Sequence, residues 1–155
     1  MLEKLALIDW AALPQPDWNT PDSVPDAIRA LAKGINRQSQ YHRLLYAVGN
    51  NHAGSYYPVV LWVIPFLGEL LANSSSPIRE TVLDILVDLL GSFSPEPGFE
   101  KVETSAGWQL LADALHAEIN KLAPIIEDLH SSPNSTAHEK ELVSLLLDLI
   151  NEKSV

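Results

Sequence analysis

Residues 57–91, YPVVLWVIPFLGELLANSSSPIRETVLDILVDLLG, decide the fold. Two apolar runs flank a short Asn/Ser/Pro turn, and each repeats its hydrophobic residues at helical spacing around more than one face. One partner cannot cover such a helix pair. A pair that must be buried on two sides is what an inner unit of an α-solenoid presents, because each unit packs against the one before and the one after. The expectation is an all-α chain, a short α-solenoid of about three antiparallel helix pairs forming one domain over residues 1–155.

Working outward, Ser23 with Asp26 three residues on opens a first helix that stops at Gly34 and buries Val24, Ile28 and Leu31. A second helix over 36–48 carries Tyr41, Leu44, Leu45 and Val48 at helical spacing, and Gly49 closes it before the polar loop NNHAGS. The third starts at Tyr57, takes Pro58 in its first turn and kinks at Pro65 on its way to Leu71. Ser76 caps a fourth over 77–90, ended by Gly91.

Beyond it, SFSPEPGFEKVETS (92–105) reads as a long connection, with two prolines, a glycine and four charges. A fifth helix spans 107–130 with Leu110, Leu111, Leu115, Ile119 and Leu122 inward, kinked or split by Pro124. Thr136 and Glu139 form a capping box for a sixth, which carries Leu142, Leu145, Leu146 and Leu149 on one stripe. Val143, Leu147 and Ile150 are expected to be exposed around its side, giving helix 137–151 a route to self-association. Residues 1–22, where prolines intersperse Trp10 and Trp18, read as an N-terminal cap lying along the first repeat. An internal match at an offset of 40 residues, VPDAIRAL (24–31) over IPFLGELL (64–71), has the size of a helical-pair repeat.

The chain has 155 residues and no cysteine, so it is one domain by size and contains no disulfide, thiolate nucleophile or sulfur metal site. The apolar stretch in MLEKLALIDW is too short for a signal-peptide core, and the longest uncharged run, 53–68, is too short and too broken for a membrane span. The cytoplasm is the default location, with no membrane role. The net charge of −10 is unevenly placed. Residues 1–79 hold six acids and six bases, whereas 80–155 hold fourteen acids and four bases. Within 27–68 there are Arg29, Lys33, Arg37 and Arg43 and no carboxylate. An acidic half repels phosphate backbones, so no nucleic-acid partner is expected and a basic protein is the natural match.

The segments VPDAIRALAK, RLLYAVGNNHAGSYYPVVLWVIPFLGELL and SPIRETVLDILVDLLGSF resemble small bacterial HEAT-like repeat proteins. In these a polar GN-x-H-x-G-x-Y-P loop precedes a P-F-L-x-x-L-L helix and an R-x-x-x-L-x-x-L helix. The resemblance covers roughly residues 8–93; positions 94–155 match only as generic helical repeat. It implies a HEAT-like fold and, because similar proteins occur beside secreted polymorphic toxins, an immunity role.

Glu80, Asp84 and Asp88 stand at successive i,i+4 positions on the fourth helix, where like charges are mutually destabilising. Such a stripe is either an ordinary solvated face or a partner-facing surface. Glu96, Glu100 and Glu103 of the long connection, Trp108 beside it and Asp148 of the last helix extend the partner-facing reading; Phe99 is its second candidate aromatic anchor. Trp62 and Phe66 read as core. The loop residues Asn50, Asn51, His52 and Gly54 read as a structural cap, since Asn tolerates left-handed backbone and glycine permits the reversal. The histidines show no metal-ligand spacing and no catalytic motif occurs, so no cofactor and no enzymatic activity are expected. The expected function is a protein-binding immunity protein that occludes a basic toxin domain. The alternatives are an enzyme on the same scaffold, DNA glycosylase- or lyase-like and using His52 or Asp113, and a homo-oligomeric scaffold.

Overall fold

The computed structural model describes residues 2–153. They form seven α-helices: α1 (Ser23–Ala32), α2 (Arg37–Val48), α3 (Val60–Asn73), α4 (Ser76–Gly91), α5 (Leu111–Asn120), α6 (Ala123–Ser131) and α7 (Ala137–Lys153). Four short strands, β1 (Ser55–Tyr56), β2 (Ser94–Pro95), β3 (Lys101–Thr104) and β4 (Gly107–Leu110), complete the elements with two 3-10 turns at Glu3–Leu7 and Trp10–Ala12. The chain is mostly helical, in agreement with the all-α reading.

Helices α3 and α4 are the innermost elements, for the reason their composition gives. Val60, Val63, Ile64, Phe66, Leu67, Leu70 and Leu71 of α3 are buried, as are Val82, Leu83, Ile85, Leu86, Leu89 and Leu90 of α4. Each fully buried side chain of this size is worth about 1.5–3 kcal/mol of transfer free energy. The contacts run in two rows: α1 meets α3, and α3 meets α5 and α6; α2 meets α4, and α4 meets α7. Between the rows, α1 packs on α2, α3 on α4, and α5 and α6 on α7.

Local chemistry sets the boundaries. Gly34 (φ 71°) and Asn36 (φ 52°) turn α1 into α2. A Cβ at Gly49 would lie 2.0 Å from the Ser55 carbonyl oxygen, so the loop closes back onto the end of α2 only with glycine there. Helix α3 starts at Val60, three residues after the expected Tyr57, and continues through Pro65, whose side chain is exposed. The offset-40 match therefore joins unlike positions: Pro25 lies in the first turn of α1 and Pro65 in the middle of α3.

Several expectations are corrected. The fifth helix does not begin at 107; residues 107–110 are β4, paired antiparallel with β3 through the turn at Ser105 and Ala106, with Gly107 at φ 98°. Leu110 is consequently half exposed rather than inward. Helices α5 and α6 are separate, and Pro124 sits in the first turn of α6, where it needs no donor. Val143 and Ile150 are buried, because α7 lies against α4, α5 and α6; the exposed large apolar residue of α7 is Leu145. The surface expected to support self-association through 137–151 is thus core at two of its three residues, and Leu147 is half-buried.

Residues 2–22 cross both of the first two hairpins instead of lying along one. Trp10 is buried against Phe66, Val59 N–H donates to the Pro14 carbonyl, and Trp18 Nε1 and Asn19 Nδ2 donate to the carbonyls of Tyr46 and Ala47 at the end of α2. The 92–105 connection is tied down too. β1 and β2 pair in parallel, Phe99 packs 4.8 Å from the Tyr57 ring, and Leu111 N–H donates to the Glu100 carbonyl at 2.7 Å.

Candidate functional site

The acidic stripe of α4 faces α2 and α7. Arg37, Gln38, Tyr41 and His42 from α2 and Thr81, Asp84 and Asp88 from α4 line a groove of about 580 Å3. The three carboxylates of the stripe, of which Asp84 and Asp88 line the groove, differ in environment. Glu80 receives the Arg37 guanidinium at 3.0 Å and the Thr136 hydroxyl at 2.8 Å. Asp88 receives the Tyr41 hydroxyl. Asp84, between them, accepts no hydrogen bond among the described residues and pairs with no cation.

The electrostatics follow from that arrangement. Burial holds the Asp84 carboxyl above its ordinary range; the negative charges of Asp88 and Glu80 push the same way, and His138 and Arg37 oppose them. Burial likewise raises the Tyr41 phenol well above its usual value, helped by its bond to Asp88 and the charges of Asp88 and Asp84, so Tyr41 stays a neutral donor. On α7, which packs against α4, Glu141, Leu145, Asp148 and Glu152 are exposed on one face.

The loop carboxylates have other positions. Glu96 accepts the hydroxyl of buried Ser55 and thereby fastens β2 to β1. Glu100 is fully exposed and held below its ordinary range by the Gly98 N–H, with its own backbone N–H adding to the effect. Glu103 and Trp108 are opposite one another on β3 and β4, and Trp108 is 70% exposed. Phe99, expected as an exposed anchor, is half-buried on Tyr57. Glu103 lines a different cleft of about 550 Å3, walled by Leu7, Ile8, Leu61, Trp62, Pro65 and Phe66. The stripe residues Asp84 and Asp88 and the loop residue Glu103 therefore belong to two clefts, not to one continuous surface.

The 50–55 loop is internally bonded. Asn50 Oδ1 accepts from Ala53 N–H, the Asn50 carbonyl from Ser55 N–H and the Gly54 carbonyl from Ser94 N–H. Asn51 Nδ2 lies 2.8 Å from His42 Nδ1. His52 lines a pocket with Ser39, His42, Arg43, Tyr46 and Asn51, and Asp113 is not in that lining. Tyr56, on β1, is pushed up to about 12 by burial, with Asp113 adding to it. Among the described residues no group of three or more His, Cys, Asp or Glu could hold a metal ion, and no helix is long and apolar enough to cross a membrane.

Sequence reasoning read Glu139 as half of a capping box and missed its burial and its ion pair. Glu139 is completely buried and carries the start of α7: its oxygens accept Arg79 Nε at 2.8 Å, Arg79 Nη2 at 3.1 Å and the Ser76 hydroxyl, while its own N–H donates to Thr136 Oγ1 at 3.0 Å. The capping box was legible locally; the arginine 60 residues away was not.

No family model matches the chain, and no curated protein or solved structure matches it significantly.

Proposed function

We propose that this chain is a non-enzymatic protein-binding module, three HEAT-like helix pairs in a short stack, and that its α2–α4–α7 row receives a basic partner. The two rows of helix contacts support the stack, since each pair touches its neighbours row to row. The partner we infer is a cognate toxin domain, bound so that the acidic row covers its active cleft. The chain's cytoplasmic placement and immunity role rest on that inference.

The observation that carries the reading is Asp84. A half-buried carboxylate flanked by two others, with no donor of its own, is unfavourable in the isolated molecule and becomes favourable when a Lys or Arg arrives. Exposed Glu141, Leu145 and Asp148 on the adjoining helix add an acidic rim around one apolar contact, which suits the edge of an interface. Glu80, Asp88 and Glu96 are engaged inside the molecule, so they shape the surface rather than pair with the partner.

Affinity capture from the producing cell, at low and at high salt with identification by mass spectrometry, tests it. Stoichiometric recovery of one basic polypeptide that is released by salt is the expected result. Recovery of this chain alone, or binding indifferent to salt, contradicts the acidic-face reading.

A further inference from the structure

We propose that the corner between one face of α2 and the 49–54 loop is an oxyanion site that takes a phosphate-type group. Ser39, His42, Arg43 and Tyr46 recur at i, i+3, i+4 and i+7 on one face of α2 and, with Asn51 and His52, line a pocket of about 400 Å3. No carboxylate is in that lining. This is unexpected in a chain with 20 acids and 10 bases.

The arginines make the contrast sharper. Arg29 pairs with Asp26, Arg37 with Glu80 and Arg79 with Glu139, whereas Arg43 pairs with no carboxylate among the described residues. Its guanidinium fork is left for an external acceptor, and phosphate oxygens match that fork in geometry and charge. The other lining groups are donors as well. Asn51 Nδ2 donates to His42 Nδ1, which leaves the His42 ring hydrogen on Nε2; His52 has no hydrogen-bond partner among the described residues; Ser39 and Tyr46 supply hydroxyls.

The wall is also held in place before any ligand arrives. Trp18 stacks on Tyr46 with ring centroids 5.0 Å apart and donates from Nε1 to the Tyr46 carbonyl, and the loop closes on α2 through Tyr57 N–H to the Val48 carbonyl at 2.8 Å. Asp84 and Asp88 line the neighbouring groove and not this corner, and His42 is common to both linings. The proposal is independent of the acidic-face reading, because it rests on Arg43 and the 51–52 loop residues, none of which lines the acidic groove.

The test is a nitrogen-15 NMR titration of the whole protein with inorganic phosphate and, separately, with phenyl phosphate, against sodium chloride at matched ionic strength. Saturable shifts centred on Arg43, His42, His52 and Asn51 are expected, with tighter binding of phenyl phosphate if the natural ligand is a monoester whose ring meets Tyr46, and of inorganic phosphate if it is the free ion. Arg43→Ala should weaken binding about tenfold or more, and Arg43→Lys should recover only part of it, with the unfolding temperature of both near wild type. Shifts that chloride reproduces, or that survive Arg43→Ala unchanged, overturn the proposal.

Discussion

Within little more than one turn, α4 contributes to two regions that treat a carboxylate in opposite ways. At its start, Arg79 and Ser76 meet Glu139, which is fully buried yet surrounded by donors, and that contact locks α4 to α7. Five residues on, Asp84 is only half-buried and has none. The first is architecture: desolvation is offset by a bidentate ion pair and a capping box. The second is a charge placed at a cost to the isolated molecule, and that cost is the observation on which the proposed partner surface rests.

The contrast breaks first at Glu139. Glu139→Ala leaves the largely buried Arg79 without its acid and removes half of the capping box, so we expect a loss of about 3 kcal/mol, measured by urea unfolding. Replacing Arg79 and Glu139 together by apolar residues should cost far less than either alone, and a double-mutant cycle will read the coupling. Next comes Tyr41→Phe, which strips Asp88 of its donor; a loss of about 1.5–3 kcal/mol is expected, towards the lower end because the site is partly wet.

Asp84→Asn should act in the other direction, raising the unfolding temperature at neutral pH by an amount equivalent to less than about 1 kcal/mol. The sign follows from the raised pKa. Native Asp84 holds its proton to higher pH than the unfolded chain does, so its ionisation lowers stability as pH rises from the ordinary aspartate range through the raised native value. The gain from Asn is therefore present above that window and disappears below it. Thermal unfolding of both proteins across pH 3–8 measures the crossover, and a gain that persists at the acid end contradicts the assignment. The smallest effect is expected for Trp108→Ala, within about ±0.5 kcal/mol, because the indole is largely in water; any loss of partner affinity in this variant would bring the β3–β4 hairpin into the interface.

The same contrast shows what the chain discloses on its own. The inner helices were legible because α3 and α4 carry hydrophobic residues on too many faces for a surface helix, and the Thr136–Glu139 box because its members are three residues apart. Sequence-distant features were not. Arg79–Glu139 and Tyr41–Asp88 join residues 60 and 47 apart with no local signature. The hairpin was lost because its alternation lasts four residues a side and then merges at Leu110–Leu111 with the period of α5. Val143 and Ile150 read from spacing as a side face, but contact with α4, α5 and α6 widens the buried side of α7 to include them and leaves Glu141, Leu145, Asp148 and Glu152 outward. At the candidate site the acidic stripe was legible as a row of charges, but spacing alone says nothing about which of three equivalent carboxylates a tyrosine or an arginine across the groove will claim.

The central claim is that location, not total charge, makes the acidic row a binding surface. Captured partner should therefore be measured, by titration calorimetry, against wild type and two reversal variants of equal net charge: Asp84→Lys/Glu141→Lys/Asp148→Lys on the α4–α7 row, and Asp113→Lys/Glu127→Lys/Asp128→Lys on exposed positions of α5 and α6. The account predicts that the first variant loses the partner and the second keeps it near wild-type affinity; equal loss in both, or in neither, would contradict it.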